Sequence, residues 1–250
     1  VTQEAALGQE VLRVDALGQA GEFEQISFSV SRGEIVCLSG LVGAGRTEIA
    51  ETIFGVTPPT EGSVFVDRGP VEVRNTRQML RLGVGYIPED REAHGVIGQL
   101  PVLKNISLSV LGKLTRLGVV DREKELEVAN RYCESLSIKT PSVYASVASL
   151  SGGNRQKVVI GKWLATRPKL LILDEPTHGI DVGAKAQVHR IILELAELGM
   201  GILMISSDLL EVLQISDRIL VIADGKLVTE FSRDEATQEK IMLAAATGKA

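Results

Sequence analysis

The sequence is poor in cysteine, in long apolar runs and in positive charge. Two cysteines among 250 residues are too few for a disulfide scaffold, which favours a reducing compartment. The longest apolar runs, such as 219–223, are far shorter than the ~18 residues that a membrane-spanning helix needs. The formal net charge of −5 argues against broad electrostatic binding of nucleic acid.

What remains is an ordinary globular composition, with 44% hydrophobic and 24% charged residues. Strand-like and helix-like segments alternate along most of the chain, which predicts an α/β fold: a mixed, mainly parallel sheet with helices on both faces and a β subdomain near the N-terminus. Residues 90–159 carry mainly helical patterns, in two stretches at roughly 101–112 and 121–137. We therefore expect a single domain, 1–250, with a core of 1–89 and 160–250 and an inserted helical subdomain at 90–159.

A glycine-rich segment at 40–47 (GLVGAGRT) follows an apolar strand and precedes a helix. At every fixed position but one it matches the phosphate-binding P-loop, whose backbone N–H groups point at phosphate oxygens. Arg46 stands where the pattern has lysine, and Glu48 adds a negative charge close by. The segment predicts nucleotide binding but not good alignment of the γ-phosphate. The candidate binding residues are Gly40, Gly43, Ala44, Gly45, Arg46, Thr47 and Glu48, with the Thr47 hydroxyl also a magnesium ligand.

Two acids end the apolar run at 170–173. In a P-loop enzyme the first acid of such a pair, here Asp174, holds magnesium. The second, Glu175, can orient or deprotonate the attacking water. Four apolar residues that lead directly into paired acids favour this interpretation over a solvated strand end.

Residues 150–156 (LSGGNRQ) resemble the signature motif of ATP-binding-cassette (ABC) ATPases, and Asp181 matches the D-loop aspartate of that family. The segments 40–48, 86–91 and 180–185 are similar to one subgroup, the C-terminal cassette of the tandem ATPases that drive bacterial monosaccharide import. That subgroup serves ribose, galactose and xylose. The chain starts with Val rather than Met, so we expect either a processed product or, in preference, a piece cut from a longer polypeptide.

The resemblance implies a site for ATP and Mg²⁺, with Thr47, Asp174 and Glu89 at the metal and Glu175 as the nominal base. Four positions depart from an active cassette. Arg46 replaces the P-loop lysine, Glu89 the Q-loop glutamine and Ser207 the switch histidine, and the adenine-stacking position has no clear aromatic residue. Loss of one positioning group costs roughly 10²–10³ in rate. We therefore expect a degenerate site, weak or inactive in the isolated domain.

The signature motif is intact by the same comparison. In the family, each ATP lies between the P-loop of one cassette and the signature of the other. The resemblance thus implies that this chain completes its partner's site. The residues expected to act in trans are Ser151, Gly152, Gly153 and Asn154, together with Asp181 of the D-loop.

The resemblance also implies partners and a location. The partners are an N-terminal cassette of the same polypeptide, transmembrane permease subunits and, indirectly, a periplasmic sugar-binding protein, with no nucleic acid. The location is the cytoplasmic face of the bacterial inner membrane, as a peripheral subunit. No aromatic residue clearly matches the adenine-stacking position, for which Phe23 is the nearest candidate; Tyr86 is interpreted as packing.

Two other functions stay open. A regulatory module would bind nucleotide without turnover in every assembly. A soluble ABC ATPase of DNA repair or translation is disfavoured by the acidic charge and by a C-terminal tail that resembles the sugar-import subgroup.

Overall fold

The structure is a computed structural model that describes residues 8–248. Its strands are β1 (Glu10–Gln19), β2 (Phe23–Ser31), β3 (Ile35–Gly40), β4 (Glu61–Val66), β5 (Gly69–Val71), β6 (Val84–Ile87), β7 (Thr115–Arg116), β8 (Val119–Val120), β9 (Leu170–Asp174), β10 (Gly201–Ile205), β11 (Arg218–Ala223) and β12 (Lys226–Ser232).

The helices are α1 (Arg46–Phe54), α2 (Thr76–Arg81), α3 (Val102–Ser107), α4 (Leu111–Leu114), α5 (Arg122–Ser135), α6 (Gly152–Leu164), α7 (Val182–Glu197), α8 (Leu209–Ile215) and α9 (Gln238–Thr247). Short 3₁₀ turns lie at Leu108–Val110 and Val147–Ser149, and one π-helical turn lies at Arg91–Gly95. Within residues 8–248, no helix is both long enough and apolar enough to cross a bilayer.

The largest sheet has six strands in the order β12-β11-β3-β10-β9-β6. Strands β11, β3, β10 and β9 run parallel, whereas β12 pairs antiparallel with β11. Every residue of β9 and β10 is buried, as expected for central parallel strands that are covered on both faces. Because these strands are parallel, their carboxyl ends meet at one edge of the sheet. Gly40, Asp174 and Ile205 end β3, β9 and β10 there.

A second, four-stranded sheet has the order β2-β1-β4-β5 and is antiparallel. It packs closely on the start of β10, because a Cβ built on Gly201 would lie 2.5 Å from a methyl carbon of Val11. Glycine at this position therefore allows the two sheets to approach. This antiparallel sheet is the predicted β subdomain.

The described chain divides into two compact units. The first contains both of these sheets and comprises the described residues up to Tyr86, Lys169–Glu175 and the residues from Ile192 onward. The second comprises Ile87–Pro168 and Pro176–Ile191. It extends beyond the predicted 90–159, because α6 continues to Leu164 and residues 176–191 pack with this unit.

The second unit is mainly helical and buries one carboxylate that is paired with an exposed lysine. Glu125 on α5 is 1% exposed and accepts hydrogen bonds from the Ser107 hydroxyl (2.7 Å) and from Lys104 Nζ (2.7 Å). A buried carboxylate needs such partners, because an unpaired charge is costly away from water. The pair fixes α3 against α5.

The fold class is confirmed: an α/β P-loop fold with a mixed sheet and helices. The sequence pattern predicted a helix over 101–112, but the chain instead forms α3, a 3₁₀ turn and α4. The Ser109 hydroxyl in that turn donates to the Lys162 carbonyl of α6, which binds the irregular turn to a neighbouring helix. Strand β12 and the β7-β8 hairpin are further elements that the sequence pattern did not predict.

Candidate functional site

The glycine-rich segment connects β3 to α1 at the carboxyl edge of the six-stranded sheet. Gly43 and Gly45 have φ values of 80° and 96°, a left-handed region that glycine enters without steric cost. A Cβ on Gly40 would lie 2.2 Å from the Ile222 carbonyl oxygen, so the backbone of β11 leaves no room for a side chain there. Gly45 makes no side-chain cap at the start of α1. The first N–H groups of α1 are therefore without a side-chain acceptor at the cap, as an anion site requires.

The Arg46 side chain is directed to the sheet edge and is bound there by the protein itself. Its Nη1 atom donates to the Ser206 carbonyl at 3.0 Å and lies 3.7 Å from Glu175 Oε1. Arg46 is 7% exposed. The Arg46 guanidinium is thus already partly neutralised and hydrogen-bonded by groups of this chain.

Asp174 and Glu175 lie where the sequence predicts them, at the end of β9. Asp174 is fully buried and accepts a hydrogen bond from the Tyr86 hydroxyl at 3.1 Å. The Tyr86 ring stacks on Phe54 of α1, with centroids 5.3 Å apart. Tyr86 therefore orients a predicted metal ligand as well as packing. Sequence analysis missed this role because the partner lies 88 residues away in the chain.

Glu175 has a strained backbone and a perturbed carboxyl. Its φ of 44° lies in the left-handed region, and its N–H donates to the Ile205 carbonyl at 2.9 Å. Burial raises the pKa of Glu175 above its ordinary value, while hydrogen bonds from Ser207 and the charge of Arg46 oppose that rise. A carboxyl with a raised pKa suits the role of a base toward water.

Ser207 contacts Glu175 and is exposed. Its neighbour Ser206 is fully buried and donates to Glu211 Oε2 at 2.6 Å. Because the Ser206 carbonyl also accepts from Arg46, this short segment connects the P-loop arginine to a buried carboxylate of α8. Neither Ser206 nor Glu211 belongs to a recognised sequence motif, so this connection could not be predicted from the sequence.

Phe23, the nearest candidate for adenine stacking, begins β2 and is 5% exposed. Its ring therefore contributes to the core. Phe23 also lines a cavity of about 230 Å³, whose other lining residues include the acidic residues Glu22, Glu24, Glu61 and Asp224.

The signature segment opens α6 in the second unit. Ser151 is the N-cap residue, but its side chain makes no capping hydrogen bond. Its hydroxyl accepts from Asn154 Nδ2 at 2.9 Å, and Asn154 Oδ1 accepts from the Lys139 N–H at 2.8 Å. Ser151 is exposed, and α6 is 13 residues long. The start of α6 thus has N–H groups that an external anion could bind.

The glycine pair after Ser151 allows a close helix contact. A Cβ on Gly153 would lie 2.5 Å from the Ala184 Cβ in the first turn of α7. Asp181 is exposed and caps the same turn, because its Oδ1 accepts from the Ala184 N–H at 2.9 Å. The signature and D-loop residues are therefore brought together within one unit.

Glu89 is exposed in the second unit, and its Oε1 lies 3.8 Å from His178 Nδ1. The other two predicted magnesium ligands, Thr47 and Asp174, belong to the first unit. Among the described residues, no group of three or more His, Cys, Asp and Glu side chains is arranged to hold a metal ion. A hydroxyl and a carboxylate are nevertheless hard oxygen donors of the kind that Mg²⁺ prefers.

Solved structures match this fold. A nucleotide-free ATP-binding cassette from an ABC transporter matches with a TM-score of 0.77 and 24% identity, over 94% of this chain and 95% of that one. CbiO1 of Clostridium perfringens, part of the ABC transporter complex cbiONQ, matches with a TM-score of 0.79 and 21% identity, over 93% and 92%.

Curated proteins match at higher identity. The chain is 48% identical to the ribose import ATP-binding protein RbsA 2 of Rubrobacter xylanophilus, over 96% of this chain and 46% of that protein. It is 44% identical to the xylose import ATP-binding protein XylG of Geobacillus kaustophilus, over 97% and 50%. The chain thus spans about half the length of the curated relatives it matches. The family model for the ABC transporter matches residues 23–178, and the chain therefore belongs to the ABC transporter family.

Proposed function

We propose that this chain is the nucleotide-binding domain of an ABC importer for monosaccharides. It forms the C-terminal cassette of a tandem ATPase, has a degenerate ATP site of its own and completes the site of its partner. The names of the ribose and xylose import relatives, and the half-length match to them, support this proposal. Which sugar is moved depends on the other subunits.

The observation that carries the proposal is the position of the Arg46 guanidinium. A P-loop lysine places a compact charge between the β- and γ-phosphates. Here the corresponding charge is hydrogen-bonded to the Ser206 carbonyl and lies 3.7 Å from the Glu175 carboxylate. A γ-phosphate at this site would have to compete with both groups, and Glu175 would have to leave its cation in order to accept a proton.

The remaining groups of the first unit still suit nucleotide binding. The Thr47 hydroxyl and the Asp174 carboxylate would hold Mg²⁺, and the Tyr86 hydroxyl fixes the orientation of Asp174. The bound Mg²⁺ would neutralise charge on the phosphates. Ser207 presents a short uncharged hydroxyl where a histidine would supply a longer, ionisable group. We therefore expect binding of ATP with little turnover at this site.

The second unit supplies what the partner's site needs. The Ser151 hydroxyl and the N–H groups at the start of α6 are available to a γ-phosphate from another cassette. Asp181 lies in the same unit, where its carboxylate caps α7. ATP-driven closure of the cassette pair would then move the permease subunits at the cytoplasmic face of the inner membrane.

The first test is the steady-state turnover of Mg-ATP by the purified chain, with Glu175→Gln as the contamination control. We expect the two rates to agree, because Arg46 and Ser207 do not align the reaction. Brisk turnover that is lost in Glu175→Gln would contradict the degenerate site and identify the chain as an ATPase in its own right.

The second test addresses the action in trans within the assembled transporter. Ser151→Ala removes one hydroxyl from the partner's site, and we expect ATP-driven transport to fall roughly 10²-fold. Ser149→Ala is the matched control, since that exposed hydroxyl donates back to the Ser146 carbonyl at 2.7 Å. Unchanged transport in Ser151→Ala would favour the regulatory module, which predicts no contribution from the signature.

A further inference from the structure

The π-helical turn Arg91–Gly95 begins with an arginine that is bonded to the segment before the D-loop aspartate. Arg91 Nη1 donates to the His178 carbonyl at 2.6 Å, and Nη2 donates to the Gly179 carbonyl at 3.1 Å. A planar guanidinium can bond two successive carbonyls at once, which the single ammonium of lysine does not do in the same geometry. Arg91 thus holds residues 178–179, which are followed closely by Asp181.

The same guanidinium lies beside the start of α6. A Cβ built on Gly152 would be 3.4 Å from Arg91 Nη2 and 3.5 Å from the Gly179 carbonyl oxygen. The next glycine, Gly153, is in close contact with Ala184 of α7. Arg91 therefore lies where the signature segment and the D-loop segment meet.

The next residue of the turn makes a second connection. The Glu92 carboxylate accepts from Arg155 Nη1. Arg155 in turn donates to the Leu150 carbonyl and to the Ala148 carbonyl, each at 2.9 Å. The turn thus contacts the D-loop side through Arg91 and the residues that precede Ser151 through Glu92. The first contact is a pair of hydrogen bonds from a guanidinium to backbone carbonyls, and the second is an ion pair; both join segments far apart in the sequence.

We propose that Arg91 is a positioning residue for the reaction in trans. It holds residues 178–181 against the start of α6, so that Ser151 and Asp181 are presented together to a second cassette. The proposal rests on the proposed function, because it assigns a task to Arg91 only if this face acts on a partner's nucleotide. Its structural part, the hold on residues 178–181, can be measured without any partner.

The test uses Arg91→Gln and Arg91→Lys in the full polypeptide. Arg131→Gln is the matched control, because Arg131 pairs with Glu127 at 2.9 Å on the exposed face of α5 in the same unit. For Arg91→Gln we expect amide hydrogen exchange over residues 180–185 to become about tenfold faster. We also expect kcat for ATP to fall about tenfold with KM unchanged, since no group that binds ATP has been altered. Arg91→Lys, which keeps the charge, should recover part of both losses.

The outcomes separate this proposal from the proposed function. Unchanged exchange over residues 180–185 in Arg91→Gln would overturn the inference, whatever the turnover. Faster exchange with unchanged kcat would also overturn it, provided that Ser151→Ala measured in parallel lowers kcat. If Ser151→Ala leaves kcat unchanged, the proposed function fails, and the exchange rates alone decide whether Arg91 holds the segment. Should Arg91→Gln lose its thermal unfolding transition, Arg91→Lys provides the same comparison.

Discussion

The starts of α1 and α6 both lack a side-chain capping hydrogen bond, and they differ in what surrounds them. The start of α1 follows a glycine without a side-chain cap, but its first residue, Arg46, is bonded to a carbonyl and lies near a carboxylate of the same unit. The start of α6 also lacks a side-chain cap, and its N-cap residue, Ser151, is exposed with a hydroxyl bonded to Asn154. The cation at the start of α1 is already paired within its own chain, whereas the N-cap hydroxyl at the start of α6 is exposed. A helix N-terminus thus becomes a reactive site only through the side chains around it.

The largest expected effect, on both stability and ATP turnover, comes from crowding the contact between the start of α6 and α7. Gly153→Ala would place a methyl group 2.5 Å from the Ala184 Cβ, so α6 and α7 would have to separate. We expect a loss of about 1–3 kcal/mol in the free energy of unfolding and about 100-fold in partner-dependent ATP turnover. Chemical denaturation and coupled ATPase measurements of the paired cassettes would check both values.

Gly112→Ala is the matched control for that change. Gly112 lies in α4 of the same unit, and nothing lies within 4 Å of a Cβ built there. Alanine in an open helical position should stabilise the chain by about 0.5–1 kcal/mol and leave turnover unchanged. Equal turnover in the two variants would show that close contact between α6 and α7 does not matter for the reaction.

The next largest effect is expected from substitutions that restore the residue types of an active cassette near the start of α1. Arg46→Lys replaces the planar fork with a compact ammonium, which no longer reaches the Ser206 carbonyl and Glu175 in the same way. We expect turnover of the isolated chain to rise about tenfold when the change is combined with Ser207→His, because two positioning groups return. This rise in turnover would be measured as the rate of the double variant minus the rate of the same double variant that also carries Glu175→Gln. A double variant no faster than the parent chain would mean that a different feature limits the site at the start of α1.

The smallest expected effect is on stability as a function of pH. Burial raises the pKa of Glu175 in the folded chain, so folding disfavours its ionised form. The protonated carboxyl therefore contributes stability that is fully present below the ordinary glutamate pKa, and this contribution is lost as the pH rises through the raised value. Glu175→Gln should match the parent chain at pH 4 and unfold at a higher temperature at pH 7. Thermal unfolding at the two pH values tests this expectation. If Glu175→Gln unfolds at pH 7 at or below the temperature of the parent chain, the ion pair with Arg46 outweighs the cost of burying the carboxylate.

The places of the P-loop segment and of Asp174 in the fold could be predicted, because each belongs to a short contiguous motif that follows an apolar strand. The glycines of the P-loop follow β3 directly, and the apolar run of β9 leads into Asp174. The contacts that modify the site could not be predicted in this way. Arg46 meets the Ser206 carbonyl across 160 residues of sequence, and Tyr86 meets Asp174 across 88. Such contacts depend on how parallel strands are ordered, which a local pattern does not encode.

The helical unit was harder to predict for a related reason. The pattern over 101–112 has helical periodicity, but the chain breaks into a 3₁₀ turn where Ser109 bonds to α6. The π-helical turn at Arg91–Gly95 has no periodic signal, because five residues are too few to show one. Its shape is instead stabilised by tertiary bonds from Arg91 and Glu92. The general position of a helical insertion was predictable from composition, but its irregular turns were not.

The pairing of Arg46 with groups of its own chain has a consequence for the number of ATP molecules hydrolysed per transport cycle. A pair of cassettes with two equivalent sites can spend two ATP molecules in each closure. If the cation of one site stays bound to a backbone carbonyl and close to a carboxylate, only the other site hydrolyses ATP. On the proposed function, each cycle of import would then consume one ATP while the second nucleotide stays bound as a structural part of the closed pair. Counting phosphate released per sugar moved in sealed vesicles would give a ratio near one rather than two.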